Sequence, residues 1–245
     1  MKNSEFNVAI QTKKCIDWIK NWFQNYSNNA KGVVIGISGG KDSAVVAKLC
    51  CESLGSEKVF GALMPNGVQS DINDSIELCK ALGISYCEIN IKDSYDELVS
   101  KISDISEDAL INIAPRLRMA TLYAIAQSKN YRVAGTGNLS EGYIGYCTKW
   151  GDMAHDFNPI ANFTTEEVIA IGEHLGLPDN IIHKAPSDGL CGLTDEEKIG
   201  FTYEVLNKYI RTGICDNTEI REKIDKMHEN SLHKFTAIPV YEFYS

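Results

Sequence analysis

The sequence predicts an α/β protein: a doubly wound, mostly parallel sheet with helices on both faces. Three observations carry that expectation. Near-continuous apolar strands alternate with helical segments from residue 32 onward, glycine stands just past the last apolar position of several helices, and a glycine-rich hexapeptide joins the first strand to the next helix. Strands buried on both faces read as unbroken apolar runs, whereas a sheet with one wet face alternates apolar and polar.

Ahead of the sheet, residues 7–25 carry Cys15, Trp18, Ile19, Trp22 and Phe23 at the spacing of a helix face, widened by Ile16. Its two tryptophans suit either the core or a subunit interface. The first strand is Val33 to Ile37, followed by a helix that stops at Leu54 and Gly55. Val59–Leu63 is the second strand, and its helix stops at Leu82 and Gly83. Tyr86 to Ile91 is a third strand, residues 93–129 are helical, and Tyr131 to Gly135 is a fourth strand. Thr164 with Glu167, and Thr194 with Glu197, have capping-box spacing and so start helices, the first of which ends at Leu175 and Gly176. Residues 136–163 read as one long irregular stretch, and loops of that length inside a compact domain are usually functional. No repeat or linker divides the chain. A single domain over 1–245 is expected: an N-terminal helix at 5–25, a nucleotide-binding core at about 30–190 and a helical region at about 194–245.

Composition narrows the class. With 44% hydrophobic and 23% charged residues the chain has an ordinary globular make-up. It has no apolar run of the roughly 18 residues needed to span a bilayer, and its polar first residues lack the apolar region of an export signal, so a cytoplasmic protein with no membrane partner is expected. Its eight cysteines have no Cys-x-x-Cys pair and read as reduced, small core residues. A net charge of −9 argues against a nucleic-acid partner, because such binding relies on basic clusters that displace phosphate counterions.

The hexapeptide Ser38-Gly39-Gly40-Lys41-Asp42-Ser43 lies between an apolar strand and a helix, where an open α/β sheet binds ligands. Glycines let the backbone approach closely, hydroxyls and N–H groups donate to oxyanions, and the helix dipole favours negative charge. A Walker A loop would need glycine at Ile35 and serine or threonine at Asp42. Glycines at 36, 39 and 40 do not fit a Gly-x-Gly-x-x-Gly loop either. The hexapeptide does resemble Ser-Gly-Gly-x-Asp-Ser, the loop with which the ATP pyrophosphatases grip the β,γ-pyrophosphate.

Four further blocks narrow the resemblance: Asn112 to Met119, Gly135 to Glu141, Thr148 to Asp152 and Lys184 to Leu190. In this order they resemble the NAD synthetases, and with the loop they cover most of residues 30–210. The resemblance implies an adenine-nucleotide α-hydrolase-like fold and an ammonia-dependent ligase. In its reaction the nicotinate carboxylate of deamido-NAD attacks the α-phosphate of ATP, pyrophosphate leaves, and ammonia displaces AMP to give NAD. Glutamine-dependent relatives carry a large glutaminase domain before the loop. Only 37 residues precede Ser38 here, so free ammonia is the expected nitrogen donor.

Matched by position, the resemblance assigns Gly36, Ile37, Ser38, Gly39, Gly40, Lys41, Asp42, Ser43, Thr136 and Ser187 to ATP, the co-substrate. It assigns Asp42 and Glu141 to magnesium, and Arg116, Lys149, Asp156, His233 and Lys234 to deamido-NAD. It also implies a homodimer. No catalytic nucleophile or general base is assigned, because a carboxylate ionised at neutral pH needs alignment and charge neutralisation rather than activation.

Read without the resemblance, several of these residues have plainer roles. Glu141 and Asp156 would be surface carboxylates, and His233 with Lys234 a polar tail. Arg116 and Arg118 lie about 200° apart on a helix, so at most one faces a ligand. Pro115 suits the first turn of that helix. Thr165 stands where many relatives have an ATP-contacting lysine, and reads instead as a first-turn residue. His155 is suggestive but equally structural. The rival readings are a tRNA-thiolating or nucleotide-amidating enzyme of the same superfamily and a non-catalytic nucleotide-binding module. Turnover of ATP only when deamido-NAD is present would distinguish them.

Overall fold

A computed structural model describes residues 6–184 and 195–243. Four parallel strands form one sheet: β1 (Gly32–Gly36), β2 (Val59–Leu63), β3 (Ser85–Glu88) and β4 (Tyr131–Val133), in the order β3-β2-β1-β4. The connections therefore run one way from β1 through β2 to β3, then cross back to β4 on the other side of β1. Such a reversal opens a crevice at the carboxyl ends of β1 and β4.

The helices that connect these strands follow from local rules. α1 (Val8–Tyr26) starts where the Asn7 side chain accepts from Ile10 N at 3.0 Å. α2 (Lys41–Leu54) leaves β1 through the hexapeptide, and α3 (Ile72–Leu82) ends on Gly83 in the left-handed conformation. α4 (Lys92–Ser100) and α5 (Glu107–Lys129) lead to β4. α5 is capped by Ser106, so Pro115 lies deep inside it, not in its first turn. There it forgoes one ladder bond. A Cβ added to Gly151 would come within 3.0 Å of Pro115 Cβ, so the proline is where the 148–156 loop packs against α5.

The stretch expected to be irregular at 136–163 contains a short helix, α6 (Leu139–Tyr143). α7 (Thr165–His174) has the capping box read from Thr164 and Glu167. α8 (Asp179–Ile182), α9 (Asp195–Ile199), α10 (Tyr203–Thr212) and α11 (Thr218–Ser231) follow, and α9 begins next to Thr194, which lies outside the described residues. No described helix is long and apolar enough to cross a membrane.

Both sheet faces are covered. On one, Val33 and Ile35 pack with Val45, Val46 and Leu49 of α2, Ile19 of α1, Leu78 of α3 and Val168 and Ile171 of α7. On the other, Val34, Ala62 and Val133 pack with Ala114, Met119 and Leu122 of α5. Trp22 belongs partly to the first core, stacking on Phe157 at 4.5 Å, while Trp18 is 43% exposed. Cys15, Cys50 and Cys79 are buried, and the described cysteines are free thiols. A third cluster, Ile144, Ile199, Phe201, Tyr203, Leu206 and Ile224, ties α9, α10 and α11 to the end of α6.

Gly172 of α7 sits against α2 and α8, where an added Cβ would lie 2.4 Å from Ile182 Cδ1 and 3.1 Å from Val45 Cγ2. Gly172→Ala should therefore lower unfolding stability by about 1–3 kcal/mol through overpacking. Urea denaturation against wild type measures this, and an unchanged midpoint would contradict the packing.

Candidate active site

The crevice between β1 and β4 is built around the hexapeptide. Ile37 N still donates to Ala62 O at 2.9 Å, after which the chain turns into α2 through Gly39, whose φ is +81°. A Cβ there would stand 3.0 Å from Ser75 Oγ, so glycine is needed for both conformation and space. The loop is pinned by its own serines. Ser38 N donates to Ser43 Oγ at 3.3 Å, Ser43 Oγ donates to Gly40 O at 3.1 Å, and the two hydroxyls lie 3.2 Å apart. Both hydroxyls thus hold the loop's shape rather than pointing outward. Gly40, the N-cap of α2, provides no side-chain cap, which leaves first-turn N–H groups for an anion.

Across the crevice, Asn138 caps α6. Its Oδ1 accepts from Glu141 N at 3.0 Å, its own N–H donates to Glu141 Oε2 at 3.3 Å, and its Nδ2 donates to Asp42 Oδ1 at 3.0 Å. One buried amide therefore holds the start of α6 against the start of α2 and sets Asp42 beside Glu141. Burial, and then the nearby Asp42, push the Glu141 carboxyl up to about 8, although Lys41 and the Asn138 N–H oppose them. Ser140 anchors α6 from behind, donating to Asn207 Oδ1 of α10 at 2.6 Å and accepting from Thr165 N at 3.0 Å. Thr165 is thus buried in the first turn of α7, as its capping pattern implies.

Ser38, Gly40, Asp42, Ser43, Thr136, Gly137, Glu141 and Asp152 line a cleft of about 180 Å³. A wider groove of about 510 Å³ between α7 and α10 has Glu166, Glu167 and Glu204 on its walls and contains none of the residues expected to bind ATP or dinucleotide. The smaller cleft suits a hard cation. Two carboxylates supply oxygen donors, and the strain of keeping both ionised is what a divalent ion relieves. Among the described residues no group of three or more acidic, histidine or cysteine side chains could hold a metal, so water or phosphate oxygens would have to complete the coordination.

Beside this cleft lies a basic group. Arg116 of α5 approaches Lys149 O at 3.4 Å, Lys149 Nζ donates to His233 O at 2.7 Å, and Lys234 Nζ donates to Gly145 O and Cys147 O, both at 2.7 Å. The 148–152 turn that carries Lys149 is fixed by Thr148 N donating to Asp152 Oδ1 at 2.8 Å.

Comparison with known proteins identifies this arrangement. A family model described as NAD synthase matches residues 11–241. The chain belongs to the NAD synthase family. A relative from Carboxydothermus hydrogenoformans, named NH(3)-dependent NAD(+) synthetase, is 42% identical over 235 residues, covering 93% of this chain and 95% of that protein. A solved structure of NMN synthetase from Francisella tularensis superposes with a TM-score of 0.90 at 35% identity, covering 98% of this chain and all of that one. An NH3-dependent NAD synthetase from Campylobacter jejuni, in complex with nitrate, gives 0.81 at 30% identity, covering 97% of this chain and 100% of that one.

Within the NAD synthase fold, the residues expected at the site fall into three sets. Ser38, Gly40, Asp42, Ser43, Thr136 and Glu141 line the cleft, Gly39 and Lys41 belong to the same loop, and Gly36 and Ile37 at the end of β1 lead into it. Arg116, Lys149, His233 and Lys234 form the basic group, drawn from three segments far apart in sequence. Asp156 stands apart: its Oδ2 accepts from Val133 N at 2.7 Å and its Oδ1 from the Tyr123 hydroxyl at 3.4 Å, so it braces the end of β4. Ser187 lies outside the described residues. Arg118 turns inward and donates to Met64 O at 3.0 Å, which leaves Arg116 as the arginine facing out. His155 packs its ring where a side chain at Gly135 would have to go, and burial lowers its pKa.

Asn138 was legible only as part of a motif. The signal for its role was the Asn-x-x-Glu spacing to Glu141, a capping box too short to show helical periodicity. Asn138→Ala should weaken magnesium binding by roughly tenfold, because it frees the Asp42 carboxylate and removes a cap whose loss costs about 0.5–2 kcal/mol. Magnesium titration of the folded variant followed by calorimetry checks this, and wild-type affinity would remove Asn138 from the site.

Proposed function

We propose that this chain is an ammonia-dependent NAD synthetase, which joins ammonia to the nicotinate carboxylate of deamido-NAD at the expense of ATP. The observation that carries the reading is the uncapped hexapeptide loop facing the Asp42 and Glu141 pair, in a chain that matches the NAD synthase family over residues 11–241. The carboxylate oxygen bonds to the α-phosphorus of ATP as the bond to pyrophosphate breaks. Ammonia then bonds to the acyl carbon, AMP leaves with the bonding electron pair, and the amide nitrogen loses a proton.

In this proposal the N–H groups of the 38–43 loop hold the departing pyrophosphate, while Gly36, Ile37, Thr136 and Ser187 contact the rest of ATP. Lys41 belongs to the same loop, but its side chain points to the carboxylates. Asp42 and Glu141 would hold Mg2+, which supplies charge neutralisation along the phosphates. Arg116, Lys149 and Lys234 supply positive charge for the dinucleotide phosphates, and His233 and Asp156 contact the same ligand. The loop amides act in a crevice already shaped, so they need little reorganisation as charge develops on the leaving group.

A homodimer is part of the proposal, supported by apolar side chains left on the surface of α1, including Ile10, Trp18 and Tyr26. So are a single domain over 1–245, for which one family model over most of the chain speaks, and a cytoplasmic setting, where ATP is at hand.

A second reading concerns substrate size. The Francisella tularensis structure, more similar than the Campylobacter jejuni one, is named for NMN, which lacks the adenylyl half of NAD. Competition between deamido-NAD and nicotinate mononucleotide, compared by kcat/KM, separates the two. A preference of about tenfold or more for the mononucleotide, or about 1.4 kcal/mol, would replace the dinucleotide reading.

Asp42→Ala should abolish formation of NAD, AMP and pyrophosphate while leaving the circular dichroism spectrum like that of wild type. The side chain is partly exposed and its loss opens no core cavity. Turnover at the wild-type rate would refute the magnesium assignment. Because ammonia, not ammonium, is the nucleophile, the rate at fixed subsaturating total ammonium should rise about tenfold per pH unit between 7 and 8.5 when amidation limits turnover. Rapid-quench measurement of the amidation step tests this directly, and a flat profile for that step would contradict it. Glutamine should replace ammonium poorly in the same assay.

A further inference from the structure

The first residue of a helix usually sends its side chain into solvent, but the Lys41 side chain is only 6% exposed. Its Nζ lies 3.1 Å from Asp42 Oδ2. Burial alone would make the ammonium easier to deprotonate, but Asp42, Glu141 and Asp195 more than reverse that and keep it charged. Lys41 is thus ion-paired to Asp42, which lines the same cleft as Glu141, and it feels the further charge of Asp195 at the start of α9.

Two further features belong to this cluster. Asp195 is buried and accepts from the Tyr146 hydroxyl at 3.0 Å. The Tyr203 hydroxyl is also buried, has no hydrogen-bond partner among the described residues, and feels the charges of Glu141, Asp195 and Asp42. A buried cation beside two carboxylates satisfies them, whereas those carboxylates alone would repel each other in a poorly solvated place.

We infer that Lys41 is the resident counter-ion of Asp42 and Glu141: it neutralises the pair in the metal-free protein and competes with the divalent cation for it. This rests on the proposal that Asp42 and Glu141 hold the metal. It gives Lys41 a positioning role distinct from that of a phosphate-gripping lysine. A lysine that only grips phosphate would leave metal affinity in the absence of nucleotide unchanged.

The test uses the full chain, stripped with chelator and free of nucleotide, titrated with Mg2+ by calorimetry and with Mn2+ by electron paramagnetic resonance. Removing a unit charge a few ångströms from a divalent ion in a partly buried site should strengthen metal binding, so Lys41→Met is expected to bind either ion at least about tenfold tighter than wild type. Lys41→Arg, which keeps the charge, should stay within about threefold of wild type by the same reasoning. Stripped Lys41→Met should also melt below stripped wild type and gain more from added metal.

Equal affinities in wild type and Lys41→Met would overturn the role of Lys41 while leaving the metal pair intact. Absence of metal binding in both proteins would overturn the metal pair and the inference with it. If Lys41→Met folds only with metal present, the metal has replaced the ammonium, which is the expected direction. If it fails to fold in either condition, Lys41→Gln, which keeps a donor without the charge, carries the same comparison.

Discussion

Keeping two carboxylates side by side in a poorly solvated crevice is the constraint around which this site is arranged. Asp42 lies in the helix that follows β1 and Glu141 in the helix that follows β4, and left alone one of them would take up a proton. Asn138 meets the constraint with geometry: its side-chain amide donates to the Asp42 carboxylate and its backbone N–H to the Glu141 carboxylate. Lys41 meets it with charge. Behind these lie Ser140, Asn207 and the start of α7, so the spacing of the two carboxylates depends on helices on the far side of the crevice. The satellite core of α9, α10 and α11 is thereby tied to the site, with α10 holding Ser140 through Asn207.

The sheet explains why the carboxylates meet at all. Because β4 crosses back to the open side of β1, the loop after β1 and the loop after β4 emerge side by side. α2 starts in one and α6 in the other. The basic group is assembled differently, by side chains that reach backbone carbonyls across long sequence separations, as Lys149 does to His233 and Lys234 to Gly145 and Cys147. Each lysine is thereby held in place while remaining near the surface. The two halves of the site accordingly differ in kind: a buried, mutually neutralised pair beside a more exposed cationic rim.

Much of this was legible in the sequence where the signals were local. β2 occupies Val59–Leu63, the stretch its apolar run marks out, and the helices stop at Leu54, Leu82 and close to Leu175, where glycine follows. Thr164 and Glu167 make the capping box their spacing implies. Local rules failed where tertiary packing prevailed. Pro115 reads as a helix start, yet Ser106 begins α5 earlier and the helix continues through the proline where Gly151 packs on it. α6 escaped notice because five residues show no periodicity. The burial of Lys41 could not be read from its neighbours, since the acids around it lie at 42, 141 and 195.

The hydrogen bonds within the 38–43 loop bear on turnover. A loop whose serine hydroxyls already bond to the Ser38 and Gly40 amides and to the Gly40 carbonyl does not wait for a ligand to acquire its shape, so little ordering entropy would be lost when pyrophosphate oxygens arrive. Its serine hydroxyls exchange an internal partner for an external one, and exchange gives less net attraction than satisfying a bare donor would. Such a cradle grips weakly for the number of groups it presents. That weakness is useful in an enzyme that must let go of pyrophosphate each cycle, because the empty loop falls back on its own bonds as the product departs.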